Sequence, residues 1–304
     1  MNLEFGSVLY MGMIALIARL TGVEFVLFPE LGALSHDILK RPQGTWAMSP
    51  VMLVATPVAT ALVGTLMTRH FAYGTFSVLL DIGASVLMIF VSRSPIAPAI
   101  SAGLLPLTMG YRSWWYPPSI VLGTGLLAIV SVAVRRWNVQ LPSSTSPASV
   151  RDRVDDTMEI APFYLSWLSP FLVLLVMLAG IAQWTGMRFV LFPPLVVIAF
   201  EMFAHPKVCP WARRAWHLPL ACTASAALGV LLVALFGAGI VGTMLSMLGS
   251  VLILRALDLH APPALAVGLL PMIIPHPDYR FVVAVLTGTV TLVGVFVCWR
   301  RIAS

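Results

Sequence analysis

The sequence predicts an all-α polytopic membrane protein: two parallel tandem repeats of about six helical segments each, including short helices interrupted by Pro or Gly. Three observations carry this prediction. Of the 304 residues, 59% are hydrophobic and only 10% are Asp, Glu, Lys or Arg, against about 25% charged in a soluble domain, so too little polar surface remains to cover a globule in water. The apolar residues fall in long runs, and backbone in hydrocarbon must satisfy its polar groups internally, which favours helix over open sheet. Third, the chain matches itself. Thr21-Gly-Val-Glu-Phe-Val-Leu-Phe-Pro29 returns as Thr185-Gly-Met-Arg-Phe-Val-Leu-Phe-Pro193, identical at seven of nine positions and 164 residues further on.

In the first copy the apolar segments run Leu3 to Leu20, Phe25 to Leu39, Met48 to Met67, Thr75 to Val91, Ile96 to Met109 and Ser119 to Val134. The second copy repeats the series, opening with a fuller helix from Phe163 to Trp184. At an offset of 165 the fourth segment matches through Ser85-Val-Leu87 and Ser250-Val-Leu252. The fifth matches through Gly103-Leu-Leu-Pro106 and Gly268-Leu-Leu-Pro271, and the sixth through Gly123-Thr124 and Gly288-Thr289. Arg135-Arg136 and Arg300-Arg301 close the copies. A period this long means two copies of one membrane unit rather than a solenoid. The repeats cover residues 1–137 and 162–304. Residues 138–161 form a polar Ser-, Thr- and Pro-rich linker carrying Arg151, Asp152, Arg153, Asp155, Asp156 and Glu159, read as solvated and cytoplasmic.

Charge sets the expected topology. With all six segments crossing, thirteen of the eighteen basic residues fall on the linker side, among them Lys40, Arg41, Arg93, Lys207 and Arg255. If the second and fifth segments were re-entrant, the loops at Lys40 and Lys207 would move outside and the bias would vanish. Six segments per copy is therefore the expected count, with both termini cytoplasmic. Two segments, Phe25 to Leu39 and Ile96 to Met109, have only 15 and 14 residues, where a full helical crossing takes about 20. Short, Pro- and Gly-interrupted segments at matching places in two halves mark a transporter's binding site, although short helices adapted by tilt or local thinning account for the same lengths.

Composition also excludes classes. Cys209, Cys222 and Cys298 are too few and wrongly spaced for a disulfide framework or zinc site. The +6 net charge comes from scattered ones and twos, which set orientation rather than bind nucleic acid. No spacing of nucleophile and base or of metal ligands lies on a common helix face, so neither enzyme activity, cofactor nor metal is expected.

The candidate site lies at two equivalent places. Ser94-Pro95-Ile-Ala-Pro98 and His260-Ala-Pro262-Pro263 each precede a short apolar helix, where a polar cap and then proline suit the first turn. Helix N-termini there would present free N–H groups to a small anion, with Arg93, Arg255 and His260 raising the potential; merely capped surface turns are the plainer alternative. These residues also carry a resemblance. Leu259-His260-Ala-Pro262-Pro263-Ala264 with Gly268-Leu-Leu-Pro271, and Leu31-Gly32-Ala33-Leu-Ser35 with Pro42-Gln43, resemble the motifs of the HPP family of integral membrane proteins. Ala261 interrupts His-Pro-Pro, and the first copy has Ser94-Pro95 instead, so the chain looks like two tandem, diverged HPP-like units. The resemblance implies a membrane transport role, with nitrite or another small anion as substrate.

Ionisable residues within spans are costly and by default functional or paired. Asp81, well inside the fourth segment, and Glu30, after Pro29 in the interrupted segment, are candidates for coupling or the pathway. Asp37 and Glu201 occupy equivalent positions four residues before Arg41 and His205, a spacing that suits local surface pairs. Where the copies differ in sign, Glu24 opposite Arg188 and Arg93 opposite Asp258, the expectation is a fused interface held by those two pairs. Trp46, Trp211 and Trp114-Trp115-Tyr116 read as interfacial anchors.

The sequence thus predicts a secondary transporter or channel for a small inorganic or organic anion, working in the lipid bilayer of a bacterial inner membrane. A non-transporting scaffold or partner subunit is the alternative. Further homo-oligomerisation is compatible with the sequence.

Overall fold

A computed structural model describes residues 2–140, 154, 156–158 and 164–303. The first half contains α1 (Asn2–Thr21), α2 (Glu30–Lys40), α3 (Thr45–Met48), α4 (Pro50–His70), α5 (Thr75–Ser92), α6 (Ala99–Met109) and α7 (Tyr116–Gln140). The second contains α8 (Leu168–Thr185), α9 (Pro193–Ala204), α10 (Pro210–Arg213), α11 (His217–Phe236), α12 (Ile240–Ala256), α13 (Pro263–Leu269) and α14 (Tyr279–Ala303). No strand occurs among the described residues. Of these helices, α4, α5, α7, α8, α11 and α14 are long and apolar enough to cross a membrane. Their outer faces expose Leu87, Val91, Ile129, Leu231 and Leu235, a surface suited to lipid rather than water. The protein is an all-helical, multi-pass membrane protein.

Local sequence explains the breaks. Pro50, Pro193 and Pro263 occupy first-turn positions, where proline's missing N–H has no helical partner to lose. Gly110 and Gly186 end α6 and α8 in the left-handed region, at φ 71° and 72°, which glycine enters without a Cβ penalty. In the interrupted segments only the later part is regular: Glu24–Val26 is a single 3₁₀ turn, and α2 begins after Pro29. An 11-residue helix such as α2 or α6 rises about 16 Å, roughly half the hydrocarbon thickness.

The short helices form the centre. Nearly every residue of α2 and all of α9 and α13 are buried. In α6, Ala99 through Thr108 are buried. Irregular backbone at membrane depth is tolerated where protein covers it, and here α2 packs on α13, α6 on α9, and α9 on α13. The outer contacts cross between halves too, with α1 on α12 and α5 on α8. Several close contacts recur 164 or 165 residues apart. A Cβ on Gly64 would fall 1.8 Å from the Gly103 carbonyl oxygen, and one on Gly229 would fall 2.3 Å from that of Gly268. A Cβ on Gly123 would meet the Val26 carbonyl and Leu31, and one on Gly288 would meet that of Val190 and Leu195.

Hydrogen bonds sort the loops into two faces. Arg41 reaches Asp156 of the linker at 3.0 Å, the Trp46 indole donates to the Pro95 carbonyl at 2.9 Å, and Ser131 donates to Ala47. The turn after α2 therefore shares a face with the linker, as the charge pattern predicts. On the other face Arg69 donates to the Arg112 carbonyl at 2.7 Å and lies over the Trp114 ring. Linker residues Arg151, Asp152, Arg153, Asp155 and Glu159 lie outside the described residues.

Candidate functional site

On the linker face the two halves meet around Asp37, Arg41, Trp46, Glu201, Trp211, Pro262 and Pro263, and linker residue Met158 closes the group. The space left between them is about 20 Å³, room for about one water. Asp37 and Arg41 form a bidentate pair at 2.8 and 2.9 Å. The spacing predicts this pair, but on the surface; both side chains are in fact buried, at 5% and 8% exposure. Arg41 also holds Asp156 at 3.0 Å, and the Asp156 carboxylate accepts from the Thr45 hydroxyl at 3.1 Å. Linker and α2 are thus tied by one guanidinium.

Trp46 and Trp211 are 4% and 2% exposed, so the reading of both as interfacial anchors is corrected: each packs at the centre of the linker face. Trp114 and Trp115 are exposed, and Arg69 over Trp114 suits an interfacial position. Tyr116 departs from its neighbours, being fully buried with its hydroxyl donated to the Ala102 carbonyl at 2.8 Å.

The expected anion site is dispersed. Arg93 is exposed and ends α5 in the left-handed region, at φ 50°. Ser94 is buried but does not cap α6; it accepts from Thr56 at 2.7 Å and from the Ile96 N–H at 3.2 Å, and the residue flanking α6 is Pro98. The Pro95 carbonyl is taken by Trp46. Pro262 and Pro263 line the central space, where two acids, Asp37 and Glu201, outnumber Arg41. Arg255 is exposed in the last turn of α12. His260 instead lines a separate cavity of about 270 Å³ with Arg213, Arg214, Asp258 and linker Val154. Two arginines that sequence reading left unassigned therefore make the more basic pocket. Their signal was the Arg213-Arg214 doublet beside the second copy's Lys207 loop.

The two expected charge pairs are not formed. Asp258 pairs with Arg214 at 3.0 Å, within its own half, because both flank the same loop cluster. Glu24 is exposed and lines a cavity of about 620 Å³ made only of first-half residues. Arg188 does meet the first half, but through an aromatic face: it lies 5.0 Å from the Tyr73 ring centroid. Burial pushes the Tyr73 phenol up to about 12, and Arg188 opposes that shift.

Deeper in the protein lie two acids. Glu30 opens α2 at 2% exposure and Asp81 sits within α5 at 0%. Neither carboxylate oxygen of Asp81 has a hydrogen-bond partner, and the Ser85 hydroxyl one turn on is likewise unpartnered. Ser101 lies beside Glu30, and Tyr116 lies near both acids. The second half has Pro194, Ser246 and Ala266 at the positions of Glu30, Asp81 and Ser101, so this polar cluster is asymmetric. No group of three or more metal-ligating side chains occurs among the described residues. Comparison with family models, with curated proteins and with solved structures finds no match.

Proposed function

We propose that this protein is a secondary transporter for a small anion, nitrite-like in size, whose pathway runs between α2, α6, α9 and α13. The observation that carries the reading is the set of four short, buried helices at the centre, each continued through irregular chain; discontinuous helices of this kind build ion and substrate sites in transporters. Buried acids in the same region support it, since ionisable groups at membrane depth mark ion or proton paths. The recurring glycine contacts and the reciprocal packing of α1 on α12 and α5 on α8 support two parallel, HPP-like copies about a pseudo-twofold axis, an arrangement in which one half rocks against the other.

On this reading the basic cavity at Arg213, Arg214 and His260 collects the anion on the linker face, taken as cytoplasmic from the charge bias. The group around Asp37, Arg41 and Met158 is closed. Purified protein in liposomes, assayed for uptake of nitrite, nitrate and formate under an imposed pH gradient, tests it. Protein-dependent uptake of at least one anion, with weakened apparent affinity in His260→Ala and Arg214→Ala, is expected. Absence of flux across the panel would instead favour a non-transporting membrane subunit.

A further inference from the structure

At Asp81 the two halves differ in a buried side chain although the close contacts around it recur. In the second half, Ser246 of α12 donates its hydroxyl to the Gly268 carbonyl of α13 at 2.5 Å. Ser250, one turn on, lies so close that a Cβ on Gly268 would come within 2.3 Å of its hydroxyl oxygen. The first half repeats this packing, with Ser85 Oγ at 2.4 Å from a Cβ on Gly103. At the position of Ser246 it has Asp81. The group presented there by the equivalent backbone is the Gly103 carbonyl, an acceptor. An ionised Asp81, fully buried and without a donor, leaves an uncompensated charge in a medium that does not solvate it, and the equivalence with Ser246 would set that charge facing a carbonyl oxygen. A carboxylic acid has an O–H to donate where Ser246 has one.

We propose that Asp81 is a proton-binding site: the neutral acid donates to the Gly103 carbonyl as Ser246 does to Gly268, and its proton is the coupling ion of the transport proposed above. Release breaks the carboxyl O–H bond, passes the proton to entering water and leaves a carboxylate facing a carbonyl. That repulsion loosens α5 from α6 beside the irregular stretch 93–98. Among the described residues, the helices packed on α5 offer no other neutraliser. Of the helices packed on α5, α6 and α8 contain no titratable residue, and α4 has only Arg69 and His70 in its last turn. From α7 the Tyr116 hydroxyl is already donated to Ala102, and Glu30 is a second acid, which supplies no positive charge.

The test is infrared spectroscopy of the purified protein, which needs no substrate. Wild type at neutral pH is expected to show the C=O stretch of a hydrogen-bonded carboxylic acid. Asp81→Asn removes it, Glu30→Gln leaves the Asp81 component, and raising the pH converts it to carboxylate. Asp81→Ser, whose side chain the equivalent site already accommodates, serves if Asp81→Asn does not fold. The same acid band in wild type and in whichever Asp81 variant folds overturns the assignment. So does thermal stabilisation by sodium over choline that disappears in that variant, which would make the site a sodium site. Transport failing while the Asp81 band is present would reject the transporter and leave the proton site standing.

Discussion

Arg41 offers the sharpest energetic test, because one guanidinium serves two carboxylates of very different exposure. Asp37 is 5% exposed and Asp156 is 44% exposed. Asp156→Asn breaks a pair that water and salt already screen, which costs about 0.5–1 kcal/mol. Arg41→Gln breaks both pairs and takes from the buried Asp37 carboxylate the guanidinium bound to it in two places, a loss of about 3–5 kcal/mol. Adding Asp37→Asn to Arg41→Gln removes the buried negative charge, so the double variant recovers a large part of that loss. Unfolding in detergent, followed at low and high salt, measures all three. Only the Asp156 contribution should fall with salt, since buried pairs are screened less. Equal losses for Arg41→Gln and Asp156→Asn, or additive losses in the double variant, would refute the view that burial of Asp37 decides the cost.

The close helix crossings make a second test: Gly64→Ala places a Cβ on the Gly103 carbonyl and Gly229→Ala one near that of Gly268. Each should cost at least about 2–3 kcal/mol as backbone is pushed apart, whereas Gly125→Ala, with nothing within 4 Å, should be tolerated; equal thermal shifts would contradict the packing. Topology is checked by cysteines in a cysteine-free background. Gln43→Cys should be shielded from an impermeant thiol reagent outside intact cells and Arg112→Cys labelled, because they lie on opposite faces. Tyr73 gives a pH signature: its phenol, raised to about 12 in the folded protein, contributes stability present below its ordinary value of about 10 and lost as pH rises toward 12. Thermal melts of Tyr73→Phe should therefore fall less steeply over that window than those of wild type.

Composition and periodicity determine a good deal of this protein. Long apolar runs define α1, α4, α5 and α7 within a few residues, because a backbone in hydrocarbon has little choice but helix. The charge bias correctly groups the turn at Arg41 with the linker, since basic residues follow a face regardless of how the helices pack. The Asp37–Arg41 pair is legible as well, being local along one helix. Its burial is not, because that depends on α9, α13 and the linker closing over it. Trp46 and Trp211 look like lipid-interface residues for the same reason: sequence shows that they end a segment, whereas only packing shows what covers that end. The pairing of Asp258 with Arg214 rather than Arg93 likewise rests on loop geometry that no spacing encodes. Sequence alone identifies Asp81 as a charge in an apolar run. Only the tertiary structure packs α5 on α6 as α12 packs on α13, where its counterpart Ser246 meets a carbonyl, because that relation joins residues 22 positions apart through two helices whose contact is set by glycine.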